Sequence, residues 1–446
     1  MKKLLTIAFL LLTHIVLKAQ VEVRELPPMG YEQRIRTYID TMKIVDTHEH
    51  LVSQKGIGRS GMCDFMLLLH QYSDDDIKSA GMSKPTFEKL LKDSLTVLQK
   101  WGILQPYWEK SFNTAYNRAA LLAADSLFGI KNIDESTVTE LSVKIKQVYQ
   151  TNWYETVLKD KCRIEFMIND DTNKSFGDPA TMRYTQRFDY FRINSKSKID
   201  KLALQYGAPI ATLDDMVNSL NSEFEKAMKV GFASIKSPDA YFRSLDYEDV
   251  PKEKAEAVFS MIMKSQEKEI IFDQIKPLSD YMMHRMLDLA LKYHKPVQIH
   301  TGLQAGDGNY IMNSNPALLA NLFLKYRDVQ FILFHGGYPY GGEFASLAKN
   351  FRNVYIDLCW VYIISPSYSE RYLHEWLETI PANKIMAFGG DYENVENIYG
   401  HLLFAKQIIS KVLIAKVKDG YFNEKEAIQI AKMILHDNAV NLYHLK

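Results

Sequence analysis

Apolar residues fall into short runs that alternate with longer amphipathic segments along the chain. Several of the runs are apolar nearly throughout, which is typical of parallel strands covered on both faces. Amphipathic stretches such as Leu213–Val230 and Tyr281–Tyr293 lie between them and predict helices. Eight strands separated by helices predict a (β/α)8 barrel, and a doubly wound open sheet is the alternative. The eight predicted strands are Lys43–Thr47, Arg163–Ile168, Phe188–Ile193, Phe232–Lys236, Pro296–His300, Val329–His335, Val354–Leu358 and Ile385–Phe388.

The first two predicted strands are separated by more than a hundred residues, Leu51–Cys162 (51–162 below), with a mostly helical pattern. This insertion carries an aromatic cluster at Trp101, Tyr107, Trp108 and Tyr116. In a barrel, the loop after strand one emerges at the catalytic face. We therefore expect the insertion to cover the mouth and to place Trp108 against the substrate. An accessory helical layer on the barrel's flank is the alternative.

Both ends of the chain have features of their own. Lys2 and Lys3 precede the apolar run Leu4–Leu17, which is too short to span a bilayer and typical of a signal peptide. Residues 1–20 are interpreted as an export signal, and 21–446 as a single barrel domain. A buried N-terminal helix is the alternative. The tail Ala405–Lys446 contains two helical segments and is predicted to pack across the barrel.

Composition excludes several classes of function. Lys plus Arg and Asp plus Glu both total 54 in 446 residues, so the basic excess of a nucleic-acid-binding protein is missing. Cys63, Cys162 and Cys359 form no C-x-x-C pair, which argues against a zinc ribbon or a redox dithiol. No cysteine follows the signal, so a lipid anchor is not expected. No other stretch reads as long and apolar enough to cross a membrane. The chain also lacks G-x-S-x-G, H-E-x-x-H and a Gly-rich phosphate loop.

Metal-binding residue types occur at the ends of several predicted strands. His48 and His50 close the first strand and, two residues apart, point to the same side of it. His300 and His335 end the fifth and sixth strands, and Asp391 follows the eighth. The carboxyl ends of barrel strands form the catalytic face, so we expect these five side chains to meet there. The sequence therefore predicts a metal site at the barrel mouth.

These motifs together resemble the metal-dependent amidohydrolase superfamily, most closely its amidohydrolase-2 branch. The resemblance rests on H-x-H at 48–50, H-G-G at 335–337 and G-G-D at 389–391. Asn353–Leu358 before Trp360 and Asn438–Leu442 extend it over nearly the whole mature chain. The insertion is similar to that of uronate isomerases and of the amidohydrolase region of FluG proteins. The resemblance implies a (β/α)8 fold and a metal-assisted reaction.

The resemblance also implies roles for individual residues. By position, His48, His50, His300 and Asp391 match the family's metal ligands. Asp391 would accept and return the proton of the attacking water, and His335 would orient the substrate or water. Three imidazoles and a carboxylate suit Zn²⁺, with Mn²⁺ or Fe²⁺ as alternatives. One ion is favoured, and two are expected if Lys236 is carboxylated.

Further side chains are candidates for binding the substrate. Lys236 ends the fourth strand, where it could be a carboxylated bridging ligand, an ammonium that binds a substrate carboxylate, or a surface lysine. Arg192 ends the predicted third strand and could pair with a carboxylate of the substrate or of the protein. Tyr338 and Trp360 follow strands and are interpreted as pocket walls. Asp170 and Asp171 follow strand two and could support the metal ligands.

We therefore expect an exported, periplasmic or extracellular metal-dependent hydrolase. Its substrate would be an amide, cyclic amide or ester of a small, carboxylated molecule. A metal-dependent decarboxylase, lyase or uronate-isomerase-like enzyme on the same scaffold is the alternative. A catalytically silent binding protein would lack a ligand, and none is missing. The expected partner is a small molecule, without nucleic acid or stable membrane insertion, and a homo-oligomer is compatible with the sequence.

Overall fold

Eight parallel strands, paired in chain order, form the centre of the molecule. The computed structural model describes residues 30–59, 62–170, 177–178, 180–188, 190–265 and 268–445, so the predicted signal 1–20 lies outside them. Within the described residues the strands are β1 Ile44–Glu49, β2 Ile164–Asn169, β3 Met182–Gln186, β4 Ser234–Ser237, β5 Val297–Ile299, β6 Phe331–Leu333, β7 Val354–Asp357 and β8 Ile385–Met386.

Backbone hydrogen bonds between β1 and the segment after β8 join the two ends of the sheet. The amide of Thr47 donates to the carbonyl of Phe388 at 3.1 Å. The amide of Asp391 donates to His48 at 2.9 Å, and that of His50 donates to Tyr392 at 3.1 Å. The predicted (β/α)8 barrel is confirmed, and the same bonds bring Asp391 beside the end of β1.

The prediction of the third strand was wrong. β3 is Met182–Gln186, and the aromatic run Phe188–Ile193 follows it, with a 3₁₀ turn at Tyr190–Arg192. Phe188 is buried, and its ring stacks on Phe224 with the centroids 4.9 Å apart. The aromatic run therefore reflects packing against the helix Leu213–Val230, whereas the strand itself carries Arg, Thr and Gln.

Helices surround the barrel and build the insertion after β1. The α-helices of the described residues are Tyr31–Thr41, Gln54–Arg59, Met66–Leu69, Ser73–Ser79, Lys84–Leu90, Val97–Ser111, Ala115–Phe128, Val138–Val148, Trp153–Glu155, Lys196–Tyr206, Leu213–Val230, Lys252–Lys264, Phe272–Lys292, Ala320–Lys325, Gly341–Asn350, Val361–Ile364, Pro366–Thr379, Val395–Lys418, Glu424–Lys432 and Asn438–Tyr443. Residues 51–162 are thus mainly helical, as predicted.

The C-terminal tail closes the barrel at the end opposite the carboxyl ends of the strands. Leu442 and Tyr443 pack with the inward-facing Val45, Ile332 and Met386. The tail therefore packs across the barrel, as the sequence indicates. The catalytic face is left to the loops at the other end.

Helix Val395–Lys418 is long and apolar enough to span a membrane by length and composition, contrary to the sequence-based expectation. In the structure, 67% of its most apolar window is buried. Gly400 allows close contact with the insertion helix Ala115–Phe128, because a Cβ there would lie 2.5 Å from the carbonyl oxygen of Ala119. The apolar character of this helix thus serves packing between the barrel and the insertion.

Candidate metal centre

The end of β1 places two imidazoles beside one carboxylate. His48 is fully buried, and neither of its ring nitrogens has a hydrogen-bond partner among the described residues. Its Nε2 lies 3.6 Å from Asp391 Oδ1, and His50 Nε2 lies 3.2 Å from the same oxygen. The spacing in β1 and the closure of the barrel together bring these three side chains together.

Asp391 is held in place mainly through its backbone. The residue has a left-handed φ of 62°. Its carbonyl oxygen accepts hydrogen bonds from Tyr72 Oη at 2.7 Å and from Gln71 Nε2 at 3.0 Å. The insertion therefore fixes the backbone of the carboxylate that faces His48 and His50, a contribution that sequence analysis did not identify.

Two buried carboxyl groups support the backbone on either side of Asp391. Asp46 Oδ1 accepts from the amide of Gly390 at 3.3 Å, and Glu49 Oε2 accepts from the amide of Tyr392 at 2.7 Å. A Cβ at Gly390 would lie only 1.9 Å from Glu49 Oε1, so this position of the G-G-D motif requires glycine. Burial raises the pKa of Asp46 to about 7 and that of Glu49 well above its usual value. Sequence analysis missed Asp46 and Glu49, although both lie in the segment 46–50 that also carries His48 and His50.

Burial and neighbouring charges set the protonation of these groups. Burial alone would raise the pKa of Asp391, but the hydrogen bond from His50 and the nearby imidazoles hold it well below its usual value. Burial lowers the pKa of His48, which favours the neutral imidazole. Burial alone would lower the pKa of His50. The hydrogen bond and the charge of Asp391 outweigh the effect of burial, so the pKa of His50 is raised. The group thus combines an ionised carboxylate with a neutral His48, whose lone pair suits a cation.

Asp170, directly after β2, is the second carboxylate at this point. Its Oδ2 lies 3.9 Å from His48 Nε2, and its Oδ1 accepts from Thr185 Oγ1 at 2.8 Å. Arg187 Nε donates to both oxygens at 3.1 and 3.0 Å. Burial would raise the pKa of Asp170, but His50, His48 and Arg187 hold it below its usual value. Sequence analysis missed Arg187 because it follows β3, which was misplaced; Asp171 lies outside the described residues.

His300 and His335 form a hydrogen-bonded pair. His300 Nε2 lies 2.9 Å from the carbonyl oxygen of Leu303, and His335 Nε2 lies 2.8 Å from His300 Nδ1. Because a carbonyl oxygen only accepts, His300 Nε2 carries its proton and Nδ1 accepts from His335. Both nitrogens of His300 are therefore engaged in this structure, unlike those of His48, and the role of His300 as a direct ligand stays a prediction. His335 Nδ1 instead lies 3.8 Å from Asp391 Oδ2.

The donor set fits a divalent cation. The ligand atoms of His48, His50 and Asp170 all lie within 4.8 Å of one another, and Asp391 Oδ1 lies beside both imidazoles. Buried imidazole nitrogens without partners are costly unless they bind a ligand. Mixed nitrogen and carboxylate donors suit Zn²⁺, Mn²⁺ or Fe²⁺. His48, His50 and Asp391 would hold the ion, with Asp170 beside them.

Comparison with known proteins finds a match to a protein family over part of the chain. A family model described as Amidohydrolase matches residues 273–445, the segment that carries β5 to β8 together with His300, His335 and Asp391. The matched segment is less than half of the chain, and it supports membership of the amidohydrolase superfamily.

Named relatives support the family and the fold. Protein FluG of Emericella nidulans is 34% identical over 176 residues, which make up 38% of this chain and 20% of FluG. The match thus spans about a fifth of that curated relative's length. A uronate isomerase from Thermotoga maritima superposes with a TM-score of 0.77 at 18% identity, covering 93% of this chain and 97% of its own. A glucuronate isomerase from Caulobacter crescentus gives 0.73 at 15% identity, covering 93% and 94%. These two structures show the same fold.

Lys236 is buried at the end of β4, so it is not a surface lysine. Its Nζ lies 4.0 Å from the ring centroid of Phe334. Burial lowers the pKa of Lys236, and Asp391 and Asp170 partly offset that effect. An amine with a lowered pKa in a buried site suits both remaining interpretations, the bridging carbamate and the substrate-binding ammonium.

Aromatic rings from the insertion reach the centre of the barrel. Trp360, which follows β7, is fully buried and packs edge-on against His335, with ring centroids 5.2 Å apart. Tyr72 stacks on Trp360 at 4.6 Å, and Tyr116 stacks on Tyr72 at 5.4 Å. Trp360 thus forms a wall beside the histidines, and Tyr72 and Tyr116 connect it to the insertion.

Three further side chains were predicted to bind the substrate, and their roles stay predictions. Arg192 does not end a strand: its guanidinium lies 3.9 Å from the Phe242 centroid, and it lines a cavity of about 780 Å³ that Arg187 also lines. Trp108 lines a cavity of about 490 Å³ built from insertion residues, which fits the flank alternative. Tyr338 is half-buried and packs edge-on against Tyr368 with centroids 4.9 Å apart. Sequence analysis assigned these side chains to the pocket from strand ends and aromatic content. Neither feature reveals the direction of a side chain.

Proposed function

We propose that this protein is an exported metal-dependent hydrolase that cleaves an amide, cyclic amide or ester bond of a small, carboxylated molecule. The observation that carries the proposal is the position of Asp391. Its Oδ1 faces His48 and His50, while its Oδ2 faces the bare Nδ1 of His335. An ionised carboxylate between two groups of imidazoles is suited to move a proton during hydrolysis.

Each residue has a distinct task in this proposal. A divalent ion held by His48, His50 and Asp391 supplies Lewis acidity and lowers the pKa of water toward about 7. Asp391 accepts a proton from the attacking water and returns it to the leaving nitrogen or oxygen. His335, whose Nε2–H donates to His300, has no N–H left to donate to the substrate carbonyl.

Cationic groups beside the centre support an anionic substrate. Lys236 is a buried amine at the end of β4, and the charges of Asp391 and Asp170 both raise its pKa against the effect of burial. Its ammonium would pair with the substrate carboxylate, which favours binding of a carboxylated molecule. Arg187 contributes less to this task, because its guanidinium is already paired with Asp170.

A second candidate is an isomerase that interconverts sugar acids. It is favoured by the superposition on the Thermotoga maritima uronate isomerase, which covers 93% of this chain and 97% of that protein. A uronate is itself a carboxylated substrate, so the argument from Lys236 applies equally. A decarboxylase on the same scaffold remains a third outcome of the experiment below.

The experiment is a substrate screen with the purified protein reconstituted with Zn²⁺ or Mn²⁺. Amine, ammonia or alcohol release from carboxylated amides, lactams and esters supports hydrolysis. Aldose–ketose conversion of uronates without hydrolysis would replace our proposal by the second candidate, and CO₂ release would replace it by the third. His48→Ala should abolish the activity, whereas His374→Ala, on helix Pro366–Thr379, is the matched control.

Export is a separate part of the proposal. It is supported by Lys2, Lys3 and the apolar run Leu4–Leu17. N-terminal sequencing of the native protein should begin near Gln20. Recovery of the chain with Met1 from the soluble cytoplasmic fraction would overturn export without affecting the proposed chemistry.

A further inference from the structure

We propose that Cys359 is a thiolate ligand in a second cation site, formed with His335 and Asp391 and separate from the site at His48 and His50. The ligand atoms of the three residues all lie within 4.8 Å of one another. All three residues are buried, with Cys359 fully inaccessible. This inference goes beyond the proposed function, which requires only one ion.

Cys359 is rigidly placed at the carboxyl end of β7. Its amide donates to Asp357 Oδ1 at 2.8 Å, and the amide of the next residue, Trp360, donates to the carbonyl of Gly389 at 3.0 Å. A Cβ on Gly389 would lie 2.9 Å from Cys359 Sγ, so the G-G-D motif leaves room for the sulfur. The thiol is therefore held at the catalytic face by two neighbouring strands.

A count of protons shows that the His300–His335 chain lacks one donor. The chain has three contacts: His300 Nε2 with the Leu303 carbonyl, His335 Nε2 with His300 Nδ1, and His335 Nδ1 with the Cys359 carbonyl at 3.3 Å. Two neutral imidazoles carry only two protons, and a carbonyl oxygen cannot donate. The third and longest contact is therefore unfilled, and the lone pair of His335 Nδ1 is available to a cation.

Asp391 is able to serve both sites at once. Its Oδ1 faces His48 and His50, and its Oδ2 lies 3.8 Å from His335 Nδ1. Each carboxylate oxygen thus faces a different group of ligand atoms. The negative charge of the carboxylate lies between them, where it stabilises a cation on either side.

The chemistry of sulfur selects the ion. A thiolate favours Zn²⁺ over Mg²⁺, Ca²⁺ or Mn²⁺, which prefer oxygen donors. On binding, the S–H bond of Cys359 breaks, a metal–sulfur bond forms, and the proton leaves to solvent. The competing interpretation is that Cys359 is a small apolar residue in the core, a common role of buried cysteine.

Cobalt(II) substitution of the full-length protein tests the inference. We expect the metal-depleted wild type to bind two cobalt ions per chain and to show the near-ultraviolet charge-transfer absorption of a thiolate–cobalt bond. Cys359→Ser should lose this band and one cobalt per chain. His48→Ala should lose one cobalt but retain the band. Cys162→Ser, at another buried cysteine, is the matched control and should change neither measurement.

The outcomes separate this inference from the proposed function. A wild type that binds one cobalt, or that shows no thiolate band, overturns the second site and leaves the hydrolase proposal standing. A band that persists in Cys359→Ser also overturns it. A wild type that binds no cobalt at all contradicts both proposals. Circular dichroism checks that each variant is folded, and the wild-type spectrum decides the question even if Cys359→Ser does not fold.

Discussion

At the mouth of the barrel, His48 is buried with both ring nitrogens unpartnered. Where the insertion joins the barrel, Glu396 is equally buried, but both of its carboxylate oxygens are used. Oε1 accepts from Trp153 Nε1 at 2.7 Å, and Oε2 accepts from Tyr149 Oη at 3.2 Å. Leaving a buried polar atom unpaired costs about 1–3 kcal/mol. The mouth thus retains unpaired polar atoms for a ligand. Where the insertion attaches to the barrel, the buried polar atoms of Glu396 form hydrogen bonds that stabilise the fold.

This comparison predicts that substitutions in the two regions change different properties. A change at the mouth should reduce metal binding and leave the free energy of unfolding nearly unchanged. A change inside the insertion or at its attachment should do the reverse. Substitution of a residue where the two regions meet, such as Tyr72, should change both metal binding and the free energy of unfolding slightly.

The largest effect is expected for His48→Ala. Removal of this imidazole should weaken metal binding by more than about 100-fold, since loss of an outer-shell partner alone costs 10–100-fold. Activity should fall with metal content. Metal analysis after dialysis and a thermal unfolding curve check this, with His300→Ala as the comparison, because we expect that variant to retain most of its metal. Equal loss of metal in the two variants would contradict our assignment of His300.

The next effect concerns stability, in Trp108→Ala. Trp108 is 7% exposed and lies in the insertion's own core, so we expect a loss of about 3 kcal/mol in the free energy of unfolding. Metal content and kcat/KM should be unchanged. Denaturant unfolding and kinetics measure the two properties. A large fall in kcat/KM without loss of stability would restore the role of Trp108 as a substrate contact.

The attachment of the insertion predicts a dependence of stability on pH. Burial raises the pKa of Glu396 from 4.5 to about 7, against the hydrogen bonds from Trp153 and Tyr149. A carboxyl whose pKa is higher in the folded state stabilises that state fully below its unfolded pKa. This contribution is lost as pH rises from about 4.5 to 7, up to about 3 kcal/mol. Glu396→Gln should therefore become more stable relative to wild type over this range.

Chemical unfolding at several pH values measures the difference between the two proteins. Glu88→Gln, at an exposed glutamate, is the matched control and should show no such rise. A constant difference between Glu396→Gln and wild type from pH 4.5 to 7 would show that folding does not raise the pKa of Glu396.

The smallest effect is expected for Tyr72→Phe. This change removes the hydrogen bond of 2.7 Å to the Asp391 carbonyl and retains the ring that stacks on Trp360. Because Gln71 Nε2 still donates to the same oxygen, we expect a loss of about 1 kcal/mol in stability and less than a tenfold fall in kcat. Tyr107→Phe, in the helix Val97–Ser111, is the control. Unchanged kinetics with full loss of stability would mean that the insertion does not position Asp391.

The sequence by itself determined the barrel and the end at which its chemistry lies. Seven of the eight strands were predicted at the right places, because apolar runs covered on both faces read clearly even in a single sequence. His48, His50, His300, His335 and Asp391 were placed at one end, since the carboxyl ends of parallel barrel strands share one face.

Only the tertiary structure decided which of these side chains are hydrogen-bonded within the protein. His48 and His300 are both buried histidines at strand ends, but the carbonyl of Leu303 and the ring of His335 engage His300, whereas the ring nitrogens of His48 have no hydrogen-bond partner among the described residues. Those partners come from different elements, and their hydrogen bonds exist only after the strands have closed. The same reason explains why sequence analysis missed Arg187. Its ion pair with Asp170 joins the ends of β2 and β3 and exists only in the folded barrel. Spacing along a chain fixes which face a side chain occupies, but the contacts across the barrel fix what that side chain is free to bind.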